Sequence, residues 1–308
     1  LKVYINRRPV TGPWGGGNKT LSLLTDQVSK DESFELVYDL NHKDIDVIFC
    51  MDPKPDNTGV WYQNLLDYKI KINPKAKIIQ RVGDLGTHRG PEITNLVAQT
   101  IQLSDFVIFP SNWARKAIGF EKQNYIVIPN RPLKKFYENR ILDKKVDNKN
   151  IKVVTHHWSD NPKKGFSLYE AFSSNLPENI KFTYIGRFNS SFSSKNIEII
   201  EPQDVDSLSK ILPNFDIYLT ASELEAGANH VLEAIAAGLP VLYKTGGGSI
   251  DEYCSNYGIE YKDKDSLNNS IVKCLENYDF LMYNISDFKY TLEDAVEKYS
   301  KIIKNIAG

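Results

Sequence analysis

One stretch limits the fold more than any other: Glu225-Ala-Gly-Ala-Asn-His-Val-Leu-Glu233-Ala-Ile-Ala-Ala-Gly238-Leu-Pro240. Val231, Leu232, Ile235 and Ala236 recur at three-to-four-residue steps, the repeat of a helix with a buried face. Gly238 suits the left-handed residue that ends a helix and Pro240 bars continuation, so the pattern predicts a helix over 228–238. The runs 216–220 before it and 241–243 after it are short, apolar and rich in strand formers. In open sheets built from such strand-loop-helix-strand units, ligands sit beyond the carboxyl ends of the strands, where 223–227 falls. A helix start there presents unpaired N–H groups and the positive end of its dipole to an anion. Glu225 and Glu233 would repel a bare phosphate, so the ligand must also bring hydroxyls for them to accept from. A sugar nucleotide has both.

The same alternation runs through the chain. Strands are predicted at 1–5, 34–39, 46–50, 76–82, 106–110 and 125–129, with helices at 18–28, 61–68, 91–103 and 112–120 between them. Asn18 is the expected N-cap of the first helix, and Gly15, Gly16 and Gly17 before it leave room for close backbone approach to a ligand. The stretch 142–150 is polar and without periodicity, and the domain boundary is placed there. Beyond it strand and helix restart at 151–155, 166–174, 181–185, 197–200 and 206–212. At the end, Leu292, Ala295, Val296, Tyr299, Ile302, Ile303 and Ile306 form an apolar stripe wide enough to demand a partner surface. The layout is an α/β chain with parallel sheets wrapped on both faces.

At Glu225 and Glu233 the sequence resembles the retaining GT-B glycosyltransferases of the family 4 type, whose signature is two glutamates separated by seven residues. The resemblance implies two Rossmann-like domains facing each other across a cleft, 1–147 on the acceptor side and 148–290 on the donor side, with the last helix (291–308) crossing back onto the first. It further implies that Glu225 is catalytic and meets the donor sugar. Ala226, Gly227, Ala228, Asn229, His230, Val231 and Leu232 would hold sugar and diphosphate, and Glu233 the ribose hydroxyls. Family members carry a Lys-Gly pair with the lysine on the diphosphate, which Lys164-Gly165 matches, but Ser159 stands where they usually have an arginine. Arg187 and His157 are the candidate replacements. Gln203 would border the base, while Gly16 and Gly17 match the family's glycine-rich first loop. Asp84 and His88, after the strand 76–82, occupy a loop that related transferases turn toward the reacting centre, so both are expected catalytic or acceptor-side groups. The implied ligands are a UDP- or GDP-linked donor and a glycan, lipid-linked or other hydroxyl acceptor, with no cofactor and no metal. A nucleotide-sugar epimerase, a phosphorylase or a non-catalytic sugar-nucleotide-binding module could share this layout.

Other readings meet obstacles. Asp39 lies at a spacing that suggests dinucleotide binding, but Gly12-Pro-Trp-Gly15-Gly-Gly17 cannot be written as G-x-G-x-x-G. The D-x-D triplets at Asp44/Asp46, Asp204/Asp206 and Asp263/Asp265 show how cheaply that metal pattern arises. His156 and His157 are adjacent, and neighbours in a strand point to opposite faces. Hydrophobic residues make up 41% of 308, enough for two cores of roughly 150 residues each. No apolar run approaches the ~18 residues of a membrane span. Residues 1–5 read as a strand and not a signal peptide, and Cys50, Cys254 and Cys274 read as reduced thiols, so a cytoplasmic location is expected. Residues 1–150 hold 23 Lys and Arg against 17 Asp and Glu, and the rest 15 against 22. A basic first half suits an anionic acceptor or peripheral contact with an anionic membrane. Nucleic acid is disfavoured, because no dense basic run coincides with a reading motif.

Overall fold

The computed structural model describes residues 1–10, 15–188, 191–192 and 196–308. Two compact units divide it, Leu1–Pro129 with Leu292–Gly308, and Asn130–Thr291. In the first unit the order is β1 (Lys2–Ile5), α1 (Gly16–Lys30), β2 (Glu35–Val37), β3 (Val47–Cys50), α2 (Tyr62–Lys71), β4 (Lys77–Arg81), α3 (Pro91–Leu103), β5 (Phe106–Phe109), α4 (Asn112–Ala117) and β6 (Tyr125–Val127). The strands form one sheet in the order β2-β1-β3-β4-β5-β6, parallel throughout. Every residue of β3 is buried, as a strand covered by helices on both faces must be.

The second unit runs α5 (Lys135–Glu138), β7 (Ile151–His157), α6 (Phe166–Ser173), β8 (Ile180–Gly186), β9 (Ile197–Ile200), α7 (Val205–Ile211), β10 (Ile217–Thr220), α8 (Asn229–Ala236), β11 (Val241–Lys244), α9 (Ser249–Cys254), β12 (Gly258–Tyr261), α10 (Lys264–Glu276) and α11 (Tyr278–Ser286). Its sheet, also parallel, has the order β12-β11-β10-β7-β8-β9. One core holds Leu208 of α7 with Val231, Leu232 and Ile235 of α8; the other holds Phe166, Tyr169 and Phe172 of α6 with Leu267 and Ile271 of α10. The progression of strands reverses between β7 and β10. The chain order runs outward in opposite directions from those two strands, which makes their carboxyl ends the ligand-binding position of the sheet.

The last element, α12 (Leu292–Ala307), belongs to the first unit and packs on α1, β3 and β4. Tyr299 is its anchor, 1% exposed, with its ring 6.0 Å from Phe49 and its hydroxyl accepting from Arg81 Nε at 3.3 Å. The units divide after Pro129, earlier than the polar stretch 142–150. Residues 130–147 stay with the second unit because Phe136 enters its core and Lys144 Nζ donates to the carbonyls of Pro213 and Phe215. Helix α1 begins at Gly16 and not at Asn18, with Gly15 before it as the N-cap. Asn18 is no cap: its side chain accepts from Val10 N (2.9 Å) and donates to Val10 O (2.8 Å). The three cysteines are buried and unpaired with one another. Among the described residues no helix is long and apolar enough to cross a membrane.

Replacing Tyr299 by alanine removes a filled aromatic position, and such truncations cost about 3–5 kcal/mol. Urea denaturation of Tyr299→Ala is expected to show that loss in the transition of the first unit.

Candidate functional site

The site grows from the ends of β7 and β10. After β7 the chain makes a single tight turn, Pro162–Lys164, capped by Asn161, whose side chain accepts from Lys163 N at 3.0 Å. Gly165 follows with φ +89°, and a Cβ there would lie 2.3 Å from Ala221 Cβ in the loop after β10. Only glycine permits that approach. It sets the two loops edge to edge, with Glu223 N donating to Lys163 O at 3.0 Å. As a result Lys164 Nζ forms an ion pair with Glu225, each side chain 13% exposed.

The loop carrying Glu225 is held by a second loop, 245–248. Leu224 N donates to Gly246 O (3.3 Å), Glu225 N to Gly247 O (3.0 Å) and Ser249 N to Glu225 O (2.8 Å). These bonds fix Leu224 at φ +53°, a left-handed conformation that costs a non-glycine residue about 1–2 kcal/mol. Strain of this kind persists only where the surroundings impose it. Lys244 also pairs with Glu223, and Asn130 Nδ2 donates to Gly227 O at 3.0 Å. The outcome is a rigid approach to α8.

Ala228 precedes α8 and supplies no side-chain cap, while its own N–H donates to Ser249 Oγ at 3.0 Å. The first-turn N–H groups of Asn229, His230 and Val231 have no acceptor within the helix, so the positive end of α8 is directed at whatever occupies this corner. Inside the turn, the His230 ring is buried with Nε2 2.9 Å from Thr220 Oγ1. Burial, which disfavours the charged form, lowers its pKa to about 3, while the charges of Glu225, Lys164, His156 and Glu233 all act on it. Both glutamates and the lysine are thus gathered about one neutral imidazole. Glu233, 7% exposed, faces His156 Nε2 at 2.9 Å.

The two adjacent histidines both approach His230, with ring centroids 6.4 Å away for His156 and 4.9 Å for His157. Sequence spacing does not reveal this third ring as their neighbour. His157 Nε2 is 2.8 Å from Tyr169 Oη, so that ring is turned into the core of the sheet. Among the described residues no three His, Cys, Asp or Glu side chains are grouped to hold a metal ion. Two of the D-x-D triplets begin with a helix cap, Asp204 accepting from Ser207 N and Asp263 from Ser266 N. In the third, Asp44 answers Lys2.

The remaining predicted residues lie as follows. Arg187 is exposed and stacks on the Trp158 ring at 4.0 Å, both at strand ends beside Ser159. Gln203 donates to Glu201 O at 2.8 Å, before α7. Gly16 and Gly17 form the first turn of α1, and Gly17 has open space where a side chain would be. Residues 11–14 of the loop before them lie outside the described residues. Asp84 and His88 follow β4 in the first unit; Asp84 Oδ1 accepts from Gly86 N at 2.8 Å and its carboxylate pairs with Arg89 at 3.3 Å. Ser249, Asn130 and His156 are the contributors that sequence reasoning missed. A serine opening the helix after the glycine loop is the one signal that could have found Ser249.

No protein-family model matches the chain, and no curated protein matches it in sequence. Solved structures do match in fold. HepE of Anabaena, in a complex with UDP and glucose, shares 12% identity at a TM-score of 0.69, covering 98% of this chain and 99% of that one. Sucrose-phosphate synthase of Thermosynechococcus elongatus shares 12% identity at a TM-score of 0.72, covering 99% and 98%. WaaG, a glycosyltransferase involved in lipopolysaccharide biosynthesis, shares 16% identity at 0.65, covering 98% and 99%. The fold is therefore that of the GT-B glycosyltransferases.

The buried His230 makes stability depend on pH. Its folded pKa of about 3 lies below the unfolded value of 6.5, so the unfolded chain takes up the proton first. The contribution is complete above about pH 6.5 and is lost as pH falls toward 3, amounting to about 2 kcal/mol between pH 7 and 5. Denaturation at those two pH values is expected to show this loss in the wild type and its absence in His230→Asn.

Proposed function

We propose that the chain is a retaining glycosyltransferase of the family 4 type. It moves a sugar from a UDP- or GDP-linked donor to a hydroxyl of a glycan, lipid-linked or other acceptor. The observation that carries this reading is the meeting of Lys164 with Glu225 beside the uncapped start of α8, at the reversal point of the second sheet. A cation, a row of N–H donors and carboxylates within one corner suit a ligand that is anionic on one side and rich in hydroxyls on the other. The complex of HepE with UDP and glucose, on the same fold, supports a nucleotide-linked sugar as that ligand.

The chemistry follows from the charges. The donor's diphosphate rests on Lys164 and on the N–H groups of Asn229, His230 and Val231, which stabilise negative charge as the nucleoside diphosphate departs. Glu225 accepts from sugar hydroxyls and Glu233 from those of the ribose. The acceptor hydroxyl attacks from the face the leaving group vacates, and a diphosphate oxygen takes its proton. Neutral His230 leaves the anion's compensation to Lys164 and the helix, and these fixed groups supply the positive charge that a bound divalent cation provides elsewhere. Asp84 and His88 are assigned to the acceptor side, and the basic first half to an anionic or membrane-held acceptor.

Glu225→Ala is expected to lower turnover, followed as nucleoside diphosphate release from a donor panel, by roughly 10² or more. Near-normal transfer by that variant would remove Glu225 from the reaction. The wild-type rate is expected to survive excess EDTA, and its collapse there, restored by Mg²⁺, would replace the lysine-and-helix account with a metal.

A further inference from the structure

Glu233 does not stand alone in its pocket. His156, at the end of β7, turns its Nε2 to within 2.9 Å of Glu233 Oε2, across 77 residues of sequence. A carboxylate can only accept, so Nε2 carries the proton and donates. Both side chains are more than nine-tenths removed from solvent. The His156 ring is fixed in turn: Tyr218 packs edge-on against it at 5.4 Å, and the Tyr218 hydroxyl accepts from His156 N and donates to His156 O, each at 3.1 Å. Its other nitrogen, Nδ1, is buried with no hydrogen-bond partner among the described residues. An unpaired ring nitrogen in so dry a place costs free energy that a purely structural residue, leucine for instance, would avoid. What histidine offers here that leucine does not is the contact its other nitrogen makes with Glu233.

We infer that His156 is a positioning residue for recognition of the donor's ribose, holding the Glu233 carboxylate in the one rotation from which its remaining lone pairs meet the 2′ and 3′ hydroxyls. This rests on the proposed function, in which Glu233 is the ribose contact. A carboxylate has about four acceptor directions. Spending one on a fixed N–H sets the others in space, since a supporting hydrogen bond of this kind holds a binding group in its productive geometry. The role separates His156 from Lys164, which answers the diphosphate and is indifferent to the sugar alcohols.

The test compares UDP and GDP with their 2′,3′-dideoxy counterparts by calorimetry, on the full chain and on His156→Leu and His156→Gln. The wild type is expected to bind the better nucleotide at least about tenfold more tightly than its dideoxy form, the usual worth of hydrogen bonds to a charged group. In His156→Leu the ratio should fall to about threefold or less while affinity for the dideoxy nucleotide changes little. Glutamine keeps an N–H donor and should recover most of the ratio. An unchanged ratio in His156→Leu, with both nucleotides weakened alike, would make His156 scaffolding and overturn the inference alone. Failure of the wild type to bind either nucleoside diphosphate would overturn the donor-site reading itself.

Discussion

The site depends on how closely two pieces of backbone can approach. Gly165 sits against Ala221 with no room for a side chain, and that contact joins the loop leaving β7 to the loop leaving β10. Everything charged in the corner inherits its place from it. Lys164 precedes the glycine and is delivered onto Glu225; Lys163 lends its carbonyl to Glu223 N; and the strained Leu224 is pinned from the other side by Gly246. Gly248, at φ +78°, lets the chain turn sharply into α9, so that Ser249 can take the N–H of Ala228. Backbone hydrogen bonds between the loops and the largely buried ion pair hold the corner together.

The electrostatic design follows from burial. Two acids placed near one another need either cations or donors, and the corner supplies Lys164, the positive end of α8 and the N–H of His156. His230, buried in the same corner, is kept uncharged because its loss of water outweighs the pull of Glu225 and Glu233. A charged imidazole there would compete with Lys164 for Glu225. Its neutrality keeps the balance of the corner the same across the physiological range.

Much of the architecture is legible in the residues because it rests on local periodicity. The run 225–240 indicates a strand, a glycine-bounded helix and a strand, and α8 ends where Gly238 adopts φ +87°. Alternation likewise indicates the parallel sheets and the wide stripe of α12. The start of α1 is misread because Asn18 looks like a cap, yet its amide is claimed by Val10, eight residues back. The division after Pro129 is hidden because the polar composition of 142–150 says nothing of Phe136, already in the second core. Residues 255–289 hold β12, α10 and α11, for which the Asp263–Ser266 capping box was the available sign. The pairing of His156 with Glu233 is legible nowhere in the sequence, since it is produced by the order β10-β7 in the sheet and not by spacing along the chain.

The return of α12 has a consequence for how the molecule comes into being. A ribosome releases 1–129 long before it makes 292–308, so the first sheet emerges lacking the helix that covers Phe49 and Arg81. The second unit, continuous from Asn130 to Thr291, has its whole complement of strands in hand earlier. The first sheet is thus made before the second and completed after it, its apolar face over Phe49 staying open until α12 is made.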